Sequence, residues 1–302
     1  MLAIDLGVAQ RKVHVISMKE AAVWSTVWIV LALVFNAAIY FIMDEERALQ
    51  FLAGYIIEKS LSVDNMFIFV MIFGYFNVPA IYQPRVLKWG IIGAILMRFA
   101  LILAGATVLE TFHWMIYVFG GAILVTGARM LIERERKVEP EKNPVVRLLK
   151  KLILVTDRID DEKFFTRVNG IRYATPLFIV LILVETTDLI FAIDSIPAIF
   201  AITTDTFIVY TSNIFAILGL RALYFLLAGT LHRFTYLKIG LSIILLFVGT
   251  KMILSDLYKI PTAVSLTVVL SILGASVFAS YLRSRRVVIE GVKSDKPPMP
   301  SE

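Results

Sequence analysis

The sequence predicts an all-α polytopic membrane protein, with about eight transmembrane helices that contain an inverted three-plus-three helix repeat. Hydrophobic residues make up 59% of the 302 positions, above the roughly 45–50% of soluble domains. Charged residues make up 18%, below the roughly 25% of soluble domains. The apolar residues are gathered in runs of about 20, the length that crosses a bilayer. We therefore expect residues 1–302 to form a single transmembrane domain, which excludes a soluble enzyme or a disordered chain.

Eight apolar runs are long enough to cross the hydrocarbon core, and each is flanked by charged, proline-containing or short polar turns. The chain contains no cysteine, so disulfides, thiolate metal sites and thiol redox chemistry are excluded. In chain order, the predicted spans are Ala22–Met43, Gln50–Tyr75, Val86–Leu109, Phe112–Ile132, Pro176–Phe200, Thr206–Gly229, Tyr236–Leu254 and Pro261–Leu282.

The basic residues predict how the chain is oriented in the membrane. With the N-terminus inside, the short inner segments hold 12 Lys and Arg and the loop of residues 133–173 holds 11, which makes 23. The outer turns hold three, Arg47, Lys251 and Lys259. Because cytoplasmic loops carry the excess of Lys and Arg, we expect residues 133–173 to be a cytoplasmic loop between the two repeats. Topology thus accounts for most of the +6 net charge, and the lipid bilayer, not nucleic acid, is the expected partner.

The 133–173 loop carries three local signals. Apolar and basic residues alternate at helical spacing over residues 145–153, which predicts a short basic helix on the inner leaflet. Asn169-Gly170 predicts the tight turn of a β-hairpin. Thr175 and Pro176 are expected to cap and begin the fifth span. These signals indicate a packing element or a gate, and no chemistry.

Five carboxylates lie about nine residues from either end of their spans, near the bilayer centre. An ionised side chain there costs about 2.5–3.5 kcal/mol on insertion scales, and is retained where it faces the protein interior, pairs with a cation or takes up a proton. Lys59, Arg98 and Arg221 reduce the charge of these five acids to −2, which one divalent cation or protonation would neutralise. Oxygen ligands suit Mg²⁺, Ca²⁺ or Mn²⁺. The predicted metal ligands are Glu58, Asp64, Glu185, Asp188 and Asp194.

Other polar residues within the spans are expected to support this site. Arg98 and Arg221 are interpreted as ion-pair partners of the carboxylates. Asn65, Thr187, Ser195 and Asn213 either assist the site or hydrogen-bond neighbouring helices. Pro197 removes a helical hydrogen bond, so we expect the fifth span to break near Asp194–Pro197 and expose backbone carbonyls.

Spans two to four share a pattern with spans five to seven. Each set begins with two acids six residues apart, continues with a span that holds a central arginine, and ends in a small-residue and basic motif. An offset of three spans reverses direction across the membrane, and inverted repeats with a site at their interface are typical of transporters. The matching positions are Glu58 with Asp188, Asp64 with Asp194, Arg98 with Arg221, and Gly127–Met130 with Gly249–Met252.

Two other classes of function are weighed against transport. An intramembrane enzyme is disfavoured, because His14, His113 and His232 lie at interfaces and no Gly-x-Gly-Asp sequence exists. No nucleotide-binding loop exists either, so transport would be secondary and would need no bound cofactor. The alternative function is a non-transporting membrane subunit of a stress-response complex, in which the carboxylates could be replaced without loss of function.

Two long motifs resemble the TerC family of integral membrane proteins, with the Alx-like branch the most similar. They are Glu58–Asn65 and Leu181–Ala201, the second continued by Thr211–Asn213 and Arg221–Tyr224. The resemblance covers nearly the whole chain. It implies a multi-pass protein of the cytoplasmic (inner) membrane, from a family linked to manganese efflux, tellurite resistance and an alkaline or redox response. It also places the family's acidic motif residues on the five carboxylates above.

Alx-like proteins begin with an additional helix that ends in an apolar residue followed by Asp-Leu, and Met1–Leu6 resembles the end of that helix. With it, the protein would have nine spans and Asp5 would be a sixth acidic candidate. From the residues and the resemblance together, we expect a secondary transporter that exports a divalent metal cation, with manganese the expected ion.

Overall fold

The computed structural model describes residues 16–132, 144–156, 160–168, 170–228 and 236–294. The predictions for Asp5 and for the first part of the cytoplasmic loop lie outside these residues. The elements, in chain order, are α1 Met18–Ile42, α2 Glu45–Tyr75, α3 Gln83–Thr111, α4 Met115–Ile132, α5 Pro144–Leu152, β1 Phe165–Val168, β2 Ile171–Ala174, α6 Pro176–Phe200, α7 Thr206–Leu218, α8 Leu220–Ala228, α9 Leu237–Ile253 and α10 Thr262–Ser294.

The prediction of a helical membrane protein is confirmed. In the described part of the chain, five helices are long and apolar enough to cross a membrane, and α7 with α8 makes a sixth if this bent pair is one span. Each of the eight predicted spans coincides with a helix or with that pair. The count of eight remains a prediction, because α2 contains several charges and α9 has 17 residues.

Helices α2, α3, α6 and α7 surround the centre of the molecule. α2 and α3 each pack against both α6 and α7. Around this group, α1 lies against α2 and α8, α10 lies against α2 and α9, and α4 lies against α9. The buried apolar side chains form three clusters between these helices, and the polar residues Glu58, Arg98, Asp188 and Asn213 are buried among the inner four helices.

Helices α4 and α9 meet along glycine-lined faces. A Cβ atom at Gly120 would lie 3.2 Å from the carbonyl oxygen of Gly249, and one at Gly249 would lie 3.0 Å from that of Gly120. Two turns further along α4, a Cβ atom at Gly127 would lie 3.1 Å from the carbonyl oxygen of Ser242. Small residues let helix backbones approach this closely in a membrane, so the two backbones are in direct contact.

The predicted break in the fifth span is wrong, because α6 is continuous through Pro197. Pro197 is the fourth residue from the end of the helix, so its missing N–H leaves one carbonyl, that of Ile193, without its helical bond. The last turn is completed by the Ala201 N–H, which donates to the Pro197 carbonyl (3.0 Å). Residues Ile196–Phe200 are all buried, and this packing holds the turn in place.

The interruption lies instead in the sixth span, Thr206–Gly229, where α7 and α8 meet at Gly219 with a bend of 42°. Lys59 of α2 fills this bend, and its Nζ donates to the carbonyl of Ala216 (3.1 Å). A Cβ atom at Gly219 would lie 2.6 Å from that Nζ and 3.2 Å from Cβ of Trp28. The Ala216 carbonyl therefore accepts a hydrogen bond from the Lys59 side chain, in a sixth span that the sequence predicted to be unbroken.

Two aspartates cap helices at the predicted outer face. Asp44 accepts from the Arg47 N–H (2.7 Å) at the start of α2, and Asp205 accepts from the Phe207 N–H (3.0 Å) at the start of α7. The Arg47 guanidinium joins the two caps, because it contacts Asp44 at 2.6 Å and Asp205 at 3.1 Å. The hydrogen bond from the Arg47 backbone N–H, with help from its guanidinium, lowers the pKa of Asp44.

The predicted hairpin and the predicted short basic helix, α5, are both present. β1 and β2 are antiparallel, and Val168 lies opposite Ile171, which leaves a two-residue turn. Gly170 in that turn has φ +82°, a conformation that glycine adopts readily. Arg85 at the start of α3 forms an ion pair with Glu162 (2.5 Å). The ion pair therefore attaches this segment to the start of α3.

The segment between α5 and α6 is closed by side-chain hydrogen bonds. Thr175 precedes α6 as predicted, but its hydroxyl donates to the Lys163 carbonyl (2.7 Å) and does not cap the helix. The Thr166 hydroxyl donates to Asp160 (2.7 Å), and Lys163 Nζ donates to the same carboxylate (3.2 Å). These two hydrogen bonds hold the pKa of Asp160 below its ordinary value.

Candidate functional site

The buried charges meet at Arg98 of α3. Its Nη2 lies 3.0 Å from Asp188 Oδ1 and its Nε lies 3.2 Å from Asp188 Oδ2, so the two groups form a two-pronged ion pair. Its Nη1 donates to Glu58 Oε1 of α2. The side chains of Arg98 and Glu58 are each 1% exposed and that of Asp188 is 6% exposed. The interpretation of Arg98 as an ion-pair partner is confirmed.

A fourth helix completes this cluster, because Arg98 Nη1 also donates to Asn213 Oδ1 of α7 (3.3 Å). We call Glu58, Arg98, Asp188 and Asn213 the central cluster. Its two carboxylates and one guanidinium sum to a charge of −1. A buried charge is tolerated where it is paired and hydrogen-bonded, and Arg98 supplies these bonds to three helices at once.

The central cluster has unused hydrogen-bonding capacity. Glu58 Oε2 and Asn213 Nδ2 are buried, and neither has a hydrogen-bond partner among the described residues. A buried polar atom without a partner calls for a specific explanation, such as a bound water or ion. Glu58 Oε2 is an acceptor, so a cation or a water molecule is the kind of ligand that would satisfy it.

Glu185 lies on α6 one turn before Asp188, beside α3. A Cβ atom at Gly93 of α3 would overlap Glu185 Oε1, so the absence of a side chain at Gly93 makes room for this carboxylate. Glu185 is half-buried, and no described residue forms a hydrogen bond or an ion pair with it. Of the carboxylates on α6 that Arg98 does not contact, Glu185 is therefore the one nearest in sequence to Asp188 of the central cluster.

Asp194 lies beyond the central cluster, about two turns after Asp188. It is half-buried, and its Oδ1 accepts from the Thr126 hydroxyl of α4 (3.1 Å). Asp64 occupies the equivalent place on α2, six residues after Glu58; its backbone is helical, and its side chain lies outside the described part of the structure.

The carboxylates are spread along the helix axes. A Cβ atom at Gly54 would lie 3.4 Å from Ile199, whereas Glu58 and Asp188 meet through Arg98, so α2 and α6 run in opposite directions. Six residues advance a helix by about 9 Å, and residues that follow Glu58 and Asp188 move apart. The five predicted ligands thus form a series across the membrane. Among the described residues, no three His, Asp or Glu are placed to hold one metal ion.

A small cavity adjoins Asp188 on the predicted cytoplasmic side. The cavity has a volume of about 20 Å³, enough for one or two water molecules. Asp188, Arg221 and Tyr224 line it together with apolar side chains of α2, α3, α6, α7 and α8. The Tyr224 hydroxyl donates to Gln83 Oε1 (3.1 Å) at the start of α3, so this hydrogen bond links α8 to α3 near the cavity.

The remaining predicted residues have separate placements. Arg221 is buried and lines the cavity. Asn65 and Ser195 are buried, and Ser195 Oγ has no hydrogen-bond partner in the described part of the chain. The Thr187 hydroxyl donates to the Leu183 carbonyl of its own helix (2.7 Å). Thr187 is therefore engaged within α6 and takes no part in the central cluster.

Sequence reasoning did not identify several residues at the site. Gly93 and Thr126 receive the carboxylates of Glu185 and Asp194, and Tyr224 with Gln83 bounds the cavity region. The sequence signal for Thr126 was its position just before Gly127 of the repeated motif. The sequence contained no signal for Gly93 beyond its small size, because Glu185, which it contacts, lies 92 residues away in the chain.

Comparison with known proteins identifies related chains. The family model described as "Integral membrane protein TerC family" matches residues 43–288. A Myxococcus xanthus protein named "Uncharacterized membrane protein STKORF319" is 53% identical over 285 residues, which cover 94% of this chain and 89% of that protein. No solved structure matches the chain.

Two further relatives extend the comparison. Alx of Escherichia coli K12, which is described as a candidate membrane-bound redox modulator, is 54% identical over 282 residues, or 90% of this chain and 88% of Alx. A membrane protein of Rickettsia bellii is 41% identical over 287 residues, or 95% of each chain.

Proposed function

The chain belongs to the TerC family of integral membrane proteins, and from this premise we propose that it is a secondary transporter that exports a divalent metal cation, with Mn²⁺ the expected ion. The observation that carries the proposal is the central cluster. Two buried carboxylates of different helices converge with a net charge of −1 and with an unsatisfied acceptor, Glu58 Oε2. Ionisable residues at this depth are expensive and are typical of ion pathways.

The helix contacts support the inverted repeat that such a transporter would use. When Gly127 is matched with Gly249, the same offset matches Gly120 with Ser242. The contact of Gly120 with Gly249 then corresponds to the contact of Ser242 with Gly127, and both occur between α4 and α9. Contacts that exchange in this way are expected around a two-fold axis.

The inner four helices follow the same exchange. The first helix of one repeat, α2, packs on the second helix of the other, α7, where Gly54 meets Ser212. Reciprocally, α3 packs on α6, where Gly90 meets Val184. In inverted-repeat transporters the substrate site lies at the interface between the repeats, and the central cluster draws Glu58 and Arg98 from one repeat and Asp188 and Asn213 from the other.

The chemistry of the cluster supports a hard divalent cation. Its free acceptor is a carboxylate oxygen, Glu58 Oε2, and its other oxygens, which Arg98 holds, belong to carboxylates and an amide; oxygen ligands of this kind suit Mg²⁺, Ca²⁺ and Mn²⁺. The series of carboxylates on both sides of the cluster, with Asp64 towards the inside and Asp194 towards the outside in the predicted orientation, would hold a cation at successive depths. Multiple sites along a path let a cation enter and leave without being trapped.

The second candidate function is a non-transporting subunit of a stress-response complex. The description of Alx as a candidate redox modulator favours it. The chain has no cysteine, so any redox role would act through a partner or through the metal supply. This function predicts that the carboxylates can be replaced without effect.

Growth in excess manganese separates the two functions. Asp64→Asn and Asp194→Asn keep the side-chain shape and remove a charged ligand, so each should abolish manganese resistance in cells that depend on this protein. The abundance of each variant in the membrane is measured in parallel and should be close to that of the wild type. Full resistance with both variants would favour the non-transporting subunit, and resistance lost in proportion to abundance would mean that these carboxylates only hold the fold.

A further inference from the structure

We propose that Arg98 is an internal counter-cation, which holds Asp188 while the site is empty and moves to Glu185 when a divalent cation binds to Glu58 and Asp188. This inference rests on the proposed function and adds how the site is neutralised in its empty and loaded states.

The geometry of the ion pair is the first support. Arg98 contacts both oxygens of Asp188, and it uses one oxygen of Glu58. The second Glu58 oxygen, Oε2, is buried and has no hydrogen-bond partner among the described residues. An arriving cation therefore has one free acceptor in the cluster, and the further oxygens it needs are those that Arg98 occupies.

The charges give the second support. A divalent ion added beside Arg98 would change the cluster from −1 to +1 in an interior where unpaired charge is costly. If Arg98 instead pairs with Glu185, the metal and the two carboxylates Glu58 and Asp188 sum to zero. The new Arg98–Glu185 pair is then also neutral. The three carboxylates and Arg98 together change from −2 in the empty state to zero with the ion bound, and the move keeps the guanidinium and the metal, two like charges, beside separate carboxylates.

Glu185 is placed to receive the guanidinium. It lies three residues before Asp188 on α6, a spacing that brings side chains within about 5–6 Å of one another. Its carboxylate rests against Gly93 of α3, five residues before Arg98, and helical side chains lean towards the N-terminus of their helix. Because Arg98 already contacts Asp188 from α3, the proposed move to Glu185 needs a change of the Arg98 side-chain conformation towards the N-terminus of α3, with its backbone in place.

The charged groups near this switch come from four helices. Asp188 accompanies Glu185 on α6, Arg98 faces both from α3, and Glu58 faces Arg98 from α2. Arg221 of α8 lines the cavity beside Asp188. Arg98 contacts Asp188 at 3.0 Å.

Equilibrium binding of ⁵⁴Mn²⁺ to the purified full-length protein tests the inference. Arg98→Gln removes the competing charge, so Mn²⁺ should bind about tenfold more tightly, within the usual range of coupling between sites. Glu185→Gln removes the second resting place of Arg98, so Mn²⁺ should bind about tenfold more weakly. Arg85→Gln on the same helix, remote from the cluster, is the matched control and should leave the affinity unchanged.

The double variant identifies how Glu185 acts. If Glu185 acts through Arg98, Glu185→Gln should have no further effect on Mn²⁺ affinity once Arg98 is Gln. An equal loss in both backgrounds would make Glu185 a direct ligand and overturn the inference. Unchanged or weaker binding by Arg98→Gln would overturn it as well, because Arg98 would then position the carboxylates for the metal.

Glu185→Gln keeps the test decisive if Arg98→Gln does not fold, because it leaves the contacts of Arg98 with Asp188 and Glu58 intact. Unchanged binding by Glu185→Gln would then refute the switch. Failure of the proposed function is recognised separately, because the wild-type protein would itself bind no Mn²⁺.

Discussion

Arg98 shows at the scale of one residue how this protein keeps charge in its interior. Its guanidinium has hydrogen bonds to three side chains on three other helices. A buried ion pair adds little net stability, but removing one partner leaves the other charge uncompensated. Arg98 therefore matters to the fold mainly because its loss would leave Glu58 and Asp188 as buried charges without a cation.

Arg98→Ala should lower both stability and abundance. The substitution strands Glu58 and Asp188 without their cation, which typically costs about 3–5 kcal/mol. Thermal unfolding in detergent and quantitative immunoblotting of membranes measure the two effects. Arg85→Ala on the same helix is the control, because Arg85 lies near the start of α3, away from the cluster, and its ion pair with Glu162 is partly exposed to solvent. Equal stability of the two variants would show that the central cluster does not depend on Arg98.

Gly93→Ala should reduce transport more than it reduces abundance. Its new Cβ atom would overlap Glu185 Oε1, so the flexible Glu185 side chain must move while the helices stay in place. Gly74→Ala is the control, since no heavy atom lies within 4 Å of a Cβ at that position. Manganese uptake per molecule of protein is the measurement, and equal uptake by both variants would contradict the placement of Glu185.

At the scale of elements, the paired helices α4 and α9 depend on glycine. A Cβ atom at Gly120 would meet Ile253 Cγ1 at 2.7 Å and the Gly249 carbonyl oxygen at 3.2 Å. At the neighbouring Gly121, a Cβ atom would have no heavy atom within 4 Å. Gly120 therefore lies in contact with α9, whereas the adjacent Gly121 does not.

Gly120→Val should destabilise the protein by about 1–3 kcal/mol, the usual cost of overpacking, whereas Gly121→Val should have a much smaller effect. Both variants place the same residue in the same turn of α4, so helix propensity cancels in the comparison. Thermal unfolding in detergent measures the difference. Equal loss of stability would mean that α4 and α9 do not meet at Gly120.

Most elements could be predicted from the sequence because their signals are local. The ends of α6, the Asn-Gly hairpin and the basic helix α5 follow from apolar runs, turn residues and amphipathic spacing. The bend at Gly219 was missed because it depends on Lys59 and Trp28, which lie far away in the chain. For the same reason, the role of Arg98 could be predicted but its partners could not: ion pairing follows from depth, whereas the choice of Glu58 and Asp188 follows from packing.

For the whole molecule, the predicted inversion places the equivalent ends of α4 and α9 on opposite sides of the membrane. The absence of native cysteine allows single cysteines to report this topology. Tyr258→Cys, in the turn after α9, should react with a membrane-impermeant maleimide in intact cells. Arg172→Cys, in the hairpin that the predicted orientation places inside the cell, should react only after the membrane is opened. Reaction of Arg172→Cys in intact cells would contradict the orientation.

Transport by the purified protein in liposomes tests the central claim most directly. The account predicts saturable ⁵⁴Mn²⁺ flux with the wild-type protein, and a loss of about tenfold or more with Asp188→Asn, a loss expected when a metal site is perturbed. Lys163→Gln, an exposed position between α5 and α6, should transport as the wild type does. Flux no greater than in protein-free liposomes with folded wild-type protein, or full flux with Asp188→Asn, would contradict the account.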